Sequence, residues 1–319
     1  MESSFMRKLL SLLFFISSVV LANDSAVGED NGTLIFLKQN NISMAKERLL
    51  IAKDRINVDY VFINHSPQDI TVPVAFPMPA LGENNVGDRS VGIANFKLSV
   101  NGKPVKTQSR WLAKRLNGQN KTQEDVTEIL LHSGWTMAQW LDYVHGIRDP
   151  SETPPLPPEW FKNGYLQIEI QQYFIWQQYF PAGKEIIIHH SYTPSASGGE
   201  PNNLESILSN ENYGDKCLTP ATRKALKQLD VGIKDRNEDG SADIDWNNLS
   251  YILKTGANWK DGIIGDFTLR IHKNSESEVI VPCFSSPLKQ IDPLTLEFTQ
   301  KNFKPTENLD IHFYYDDSR

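Results

Sequence analysis

From Gly32 onward, apolar residues recur at every second position. Leu34 and Phe36 open the pattern, and Leu49, Ile51, Ile56, Val58, Tyr60 and Phe62 extend it, with polar or charged residues filling much of the space between. A period of two marks strands that keep one face on a core and the other in water. Asn64-His65-Ser66-Pro67 interrupts the run and residues 70–76 resume it, which predicts a hairpin. Pro77-Met78-Pro79 ends the second strand, because proline has no N–H to give to a ladder. Residues 96–100, the turn Asn101-Gly102 and residues 105–111 predict a second hairpin.

The period then changes. Thr122 and Asp125 have the spacing of a capping box; Val126, Ile129 and Leu130 fall on one helical face, Gly134 breaks the run, and Met137, Trp140, Leu141 and Val144 make another. Two short helices are expected between about 122 and 147, as an insertion over a sheet edge or one end of the core. Pro150, Pro154, Pro155, Pro157 and Pro158 stiffen the connector that follows. Strand patterns return at 166–179 and, after Pro181-Ala182-Gly183-Lys184, at 185–192. The Ser-, Gly- and Asn-rich stretch 195–203 reads as the boundary between an N-terminal β region, 23–200, and a C-terminal helix-plus-β region, 201–319. Thr219-Pro220 opens a helix running to about Leu229, and five further strands are expected, at 250–254, 267–272, 279–284, 294–299 and 309–315. The fold class is therefore mainly β: antiparallel, sandwich-like halves with short helical insertions.

The first 22 residues stand outside this scheme. Arg7 and Lys8 precede an apolar stretch from Leu9 to Leu21, and Val20-Leu21-Ala22 ends in residues a signal peptidase accepts. Residues 1–22 are expected to be a signal peptide, which places the mature chain in the periplasm or outside the cell. Ser11, Ser17 and Ser18 interrupt the stretch, and no later run approaches the roughly 20 apolar residues of a membrane span. Losing Glu2, Arg7 and Lys8 with the leader takes the formal charge from -7 to -8, an acidic balance that repels phosphate backbones and argues against nucleic acid. Both cysteines, Cys217 and Cys283, lie in the exported part, where an oxidising compartment favours a disulfide between them.

Two stretches carry candidate chemistry. Asp235, Asn237, Asp239, Gly240, Ser241 and Asp243 occupy positions 1, 3, 5, 6, 7 and 9 of a calcium loop, with oxygen donors on one side of a tight turn. Position 12 is Trp246 where a bidentate Glu belongs, so a solvated turn whose side chains bond their own backbone stands beside calcium as an open alternative. The run from Gln171 to Phe180 interleaves aromatics with amides, and Trp176 and Tyr179 are its candidates for stacking on a sugar ring; filling a sandwich interior explains the same pattern. His189 and His190 are adjacent on a strand and point to opposite faces, so they cannot chelate one ion. His65, His132, His145, His272 and His312 lack zinc-site spacing, and neither a nucleophile elbow nor a phosphate loop is present.

Several motifs, in order, resemble a known family. They are Gly32-Thr33-Leu34-Ile35-Phe36; Val58, Tyr60, Phe62 and Asn64; Val74-Ala75-Phe76-Pro77-Met78-Pro79; Phe180-Pro181-Ala182-Gly183-Lys184; and His190-x-Tyr192-x-Pro194. The stretch from Tyr251 to Trp259, Ile264-Gly265-Asp266-Phe267 and Asn302-Phe303-x-Pro305 complete the set. Together they resemble the bacterial exported family called domain of unknown function 4424. The resemblance implies export and a largely β fold, and it carries no catalytic residues. The expected function is an exported, non-catalytic binding or envelope-associated scaffold protein, monomeric, with calcium as the one candidate cofactor and an unknown protein or glycan of the envelope as partner. The rival is a secreted carbohydrate-binding or glycan-processing module.

Overall fold

The computed structural model describes residues 24–30, 33–78, 80, 94–117, 122–144, 153–194, 196–210, 213 and 217–317. The expected leader, Pro79, His145, the beginning of the proline connector and Ser195 lie outside the described residues.

The chain is mainly β, and its floor is one eight-stranded sheet. In spatial order the strands are β18 (Lys289–Asp292), β19 (Thr295–Phe303), β16 (Ile264–His272), β3 (Ile42–Ala52), β4 (Arg55–Asn64), β13 (Glu185–Thr193), β6 (Ala94–Val100) and β7 (Lys103–Val105). Every neighbouring pair is antiparallel except β16 beside β3, which is how late strands join early ones in one sheet. A six-stranded sheet follows the order β2 (Thr33–Leu37), β1 (Ser25–Asp30), β5 (Ile70–Pro77), β12 (Ile168–Phe180), β8 (Gln108–Asn117) and β9 (Thr122–Asp125). A four-stranded sheet follows β14 (Ser197–Gly198), β15 (Asp245–Tyr251), β20 (Leu309–Tyr315) and β17 (Val279–Cys283). A short ribbon pairs β10 (Phe161–Lys162) with β11 (Tyr165–Leu166).

One core joins the three large sheets. Ile56, Val58, Tyr60 and Phe62 of β4 are buried with Phe76, Phe174, Trp176 and Phe180 of the six-stranded sheet and Leu249, Ile311 and Phe313 of the four-stranded one. Each such side chain contributes roughly 1.5–3 kcal/mol by leaving water. The opposite face of the eight-stranded sheet exposes Lys46, Arg48, Asp59, Glu185, Arg270 and Lys301, so the period of two read from the sequence separates core from solvent as expected.

Connections differ from expectation in three places. The segments predicted as a hairpin across Asn64 to Pro67 are β4 and β5, which lie in different sheets. The predicted turn is a corner, built on the Asn64 side chain: its Oδ1 accepts from Ser66 N at 2.9 Å, and its Nδ2 donates to Gln68 O and Phe180 O, both at 2.9 Å. The real hairpin partner of β4 is β3. The second predicted hairpin stops at Val105, beyond which the chain leaves for β8 in the other sheet. Finally, Thr122 and Asp125 do not start a helix: residues 122–125 pair with β8, because its open edge offers ladder bonds that a frayed first turn lacks. Asp125 still serves as a local acceptor, taking Thr127 N at 2.9 Å.

The helical insertion exists, as α1 (Thr127–His132) and α2 (Met137–Val144). It lays Val126, Leu130, Trp135 and Trp140 over Ala113, Ile168 and Ile170 of the six-stranded sheet, covering one end of that sheet. In the late part of the chain, α3 (Leu204–Leu208) and α4 (Pro220–Gly232) cover one face of the four-stranded sheet, with Ile207, Leu226 and Leu229 against Val279 and Val281. Thr219 caps α4 by accepting from Thr222 N at 3.2 Å, with Pro220 at the first helical position as predicted. Cys217 and Cys283 form a disulfide between the entry to α4 and β17.

Candidate functional site

Two sheet edges stop short of each other beside the disulfide. β17 is an edge strand of the four-stranded sheet and β18 an edge strand of the eight-stranded one. Between them, under the first turn of α4, lies a cavity of about 640 Å³, within the size range of ligand sites. Its wall is mostly apolar, with Val279, Ile280, Pro282, Phe284, Leu288 and Leu296 contributing. Pro282 is tolerated there because an edge strand has positions where a missing N–H costs no ladder bond.

Some polar groups of the wall are engaged within the protein. Thr222 donates its hydroxyl to Cys217 O or Thr219 O, both at 2.9 Å, and Gln290 Nε2 donates to Pro293 O at 3.4 Å. Lys273 is the one charged residue that lines the cavity among the described residues. Partial burial pushes its ammonium below the usual lysine range, while Glu278 and Glu276 pull the other way. Glu278 itself is buried and committed elsewhere: its Oε1 lies 3.5 Å from Lys53 Nζ and its Oε2 accepts Asn274 N at 2.6 Å. No local signature marks this cavity in the sequence, since its wall comes from residues 217–225 and 273–296, two stretches joined by tertiary contact.

A second polar group sits inside the core. A bulge between Met44 and Lys46 switches the inward parity of β3, so that Glu47 turns inward between Met44 and Leu49. The backbone approaches closely at this point, and a Cβ on Gly265 of the adjoining strand would meet Ala45 O at 2.6 Å. Glu47 joins Asp24 and His190, all fully buried. The His190 ring is boxed by Tyr60, Phe76, Phe96 and Trp176, with Asp24 Oδ2 3.5 Å from its Nε2. Burial holds the imidazole down to about 3, with His189 adding to the shift, and burial together with Glu47 raises the Asp24 carboxyl well above the usual range. Neutral side chains suit this dry setting.

These shifts predict a pH dependence. Below about 6.5 an unfolded imidazole takes a proton that folded His190 refuses, so its contribution to stability is lost as pH falls toward about 3. Asp24 works in the opposite direction, because the folded carboxyl keeps its proton where the unfolded one has released it; that contribution is lost as pH rises from about 4. Relative to the native protein, His190→Gln should gain roughly 1.4 kcal/mol for each pH unit lowered between 6 and 4. Parallel urea-midpoint curves for the two proteins across that range would refute the assignment.

The structure places the predicted site residues as follows. Trp176 is 4% exposed, within the core, and donates Nε1–H to Gln178 Oε1 at 3.1 Å. Tyr179 is 50% exposed and donates its hydroxyl to Asp69 Oδ2 at 2.6 Å. Adjacent parities send the two rings to opposite faces of β12, so they make no shared platform. Asn237, Asp239, Ser241 and Asp243 converge on one another. Asp239 Oδ1 accepts Ser241 N at 2.9 Å and its hydroxyl at 2.7 Å, and Asn237 Nδ2 donates to Asp243 Oδ1 at 2.9 Å. Gly240, at φ +84°, makes the reversal, and Asp235 is exposed ahead of the turn. Among the described residues no group of three or more His, Cys, Asp or Glu side chains is arranged to hold a metal ion.

The motifs quoted above as a resemblance are largely inward-facing. Val58, Tyr60, Phe62, Asn64, Phe76, His190, Tyr192 and Trp259 are all buried, and Trp259 Nε1 donates to Asp24 O at 2.6 Å. A candidate nutrient binding protein from Legionella pneumophila is similar over 92% of this chain and 70% of its own length, at 15% identity and a TM-score of 0.45. An M1 zinc metallopeptidase from Deinococcus radiodurans aligns with 87% of this chain, at 10% identity and a TM-score of 0.28, and this chain spans only 43% of the peptidase. No curated protein matches the chain. The family described as a domain of unknown function, DUF4424, matches residues 22–312, nearly the whole sequence, and the chain belongs to that family.

Proposed function

We propose that this protein is an exported, non-catalytic binding protein whose ligand site is the cavity between β17 and β18. The observation that carries the reading is the cavity itself: about 640 Å³, walled mostly by apolar side chains, with Lys273 the one charged residue on its wall among the described residues. Export rests on the leader-like pattern of residues 1–22, and the Cys217–Cys283 bond agrees with an oxidising compartment. No helix among the described residues is long and apolar enough to cross a membrane. In this reading the turn at 235–243 is closed by its own side-chain hydrogen bonds and requires no calcium.

The test uses the uncharged fluorescent probe N-phenylnaphthylamine. The native protein should bind it saturably with enhanced emission. Ala221→Trp, which brings bulk to the cavity from an exposed position on α4, should weaken binding about tenfold or more with an unchanged melting temperature. Equal binding by the native and Trp proteins would place the ligand site elsewhere.

A further inference from the structure

Which ligand chemistry the cavity accepts depends on what its wall leaves unsatisfied. The apolar side of the account is plain, since Ile280, Pro282, Phe284 and Leu296 present carbon to the space and offer it no hydrogen bond. On the polar side, the hydroxyl of Thr222 and the amide of Gln290 already donate to backbone carbonyls. Lys273 remains. It makes no ion pair among the described residues, and its charge is partly withdrawn from water. Glu278 and Glu276 offset part of that cost from outside the wall, and an anion that brought its own apolar body would pair with the ammonium inside the cavity while filling the carbon-lined remainder. Glu278, the acidic neighbour buried close by, also faces Lys53 and accepts the Asn274 N–H, and neither it nor Glu276 lines the cavity.

We propose, resting on the binding reading above, that the cavity selects amphiphilic monocarboxylates, with the carboxylate on Lys273 and the hydrocarbon against Ile280, Phe284 and Leu296. Lys273 is then the specificity-determining residue. A matched alcohol would fill the same space without the charge, and a matched amine would bring a second cation against the first.

Displacement of N-phenylnaphthylamine from the full chain by decanoate, decanol and decylamine tests this. Decanoate should compete about tenfold more tightly than decanol, and decylamine least well. Lys273→Met should bring decanoate down to the level of decanol, and Lys273→Arg should preserve the preference. If the native protein binds the probe but decanoate and decanol displace it equally, the charge selection is overturned and the cavity reading survives. A preference for decanoate that persists in Lys273→Met also overturns it, by placing the cation elsewhere. If neither the probe nor any of the three amphiphiles binds, both readings fall. The comparison of decanoate with decanol is made on the unmodified protein, so it stands even where a Lys273 variant does not fold.

Discussion

The double variant Cys217→Ser, Cys283→Ser will be less stable than the oxidised protein by about 4 kcal/mol. The bond joins positions 66 residues apart, and the loop it closes restricts the unfolded chain accordingly. Its location adds a consequence that loop entropy alone does not have. α3 and α4 lie on the four-stranded sheet through a small cluster in which both cysteines are members, separate from the main core. Loss of the bond should therefore loosen the helices before the sheets. Hydrogen exchange should show protection falling across 204–232 while β4 and β13 keep theirs. Because Cys217 lines the cavity, probe binding should fall in the same variant. Identical urea midpoints for the oxidised protein and the double variant would remove the claim.

Asn64→Ala should cost about 3 kcal/mol or more, although the change deletes only an amide. Asn64 is fully buried at the corner between β4 and β5, and its side chain bonds Ser66 N, Gln68 O and Phe180 O. The main chain at the same residue accepts Gly183 N at 2.9 Å, so two crossings between sheets are fixed at one point. Removing the amide leaves a buried carbonyl at Phe180 with a lost donor, and unsatisfied buried groups of this kind cost roughly 1–3 kcal/mol each. Asn64→Asp keeps an acceptor for Ser66 N but sets a carboxyl oxygen against the two carbonyls, so it should be no better tolerated than Ala. Urea unfolding that shows both variants within 1 kcal/mol of the native protein would mean the corner is held by its proline and aromatic neighbours instead.

Much of the fold was legible from local chemistry. Alternation in β4 predicted its buried face residue by residue, because a strand's period is fixed by its pleat. Thr219-Pro220 announced α4, because capping is settled within a few residues. Pairing was less legible. Asn64-His65-Ser66-Pro67 reads as any tight turn would, and whether the next strand pairs with the last or crosses to another sheet is decided by which edge awaits it. Glu47 shows an intermediate case. The inward positions change parity between Met44 and Leu49, a trace of the bulge that is visible once it is sought, whereas the proximity of Asp24 and His190 has no local trace.

By itself the sequence determined the β class, the inward faces, the helix cap, the two cysteines available for bonding and the family motifs, since each depends on residues a few positions apart. Tertiary structure alone decided that β16 lies parallel to β3, that three sheets share one core, and that 217–225 meets 273–296 to line an open cavity with Lys273 on its wall. Those outcomes depend on long-range burial, where many partners satisfy the same local pattern and only the closed core selects among them.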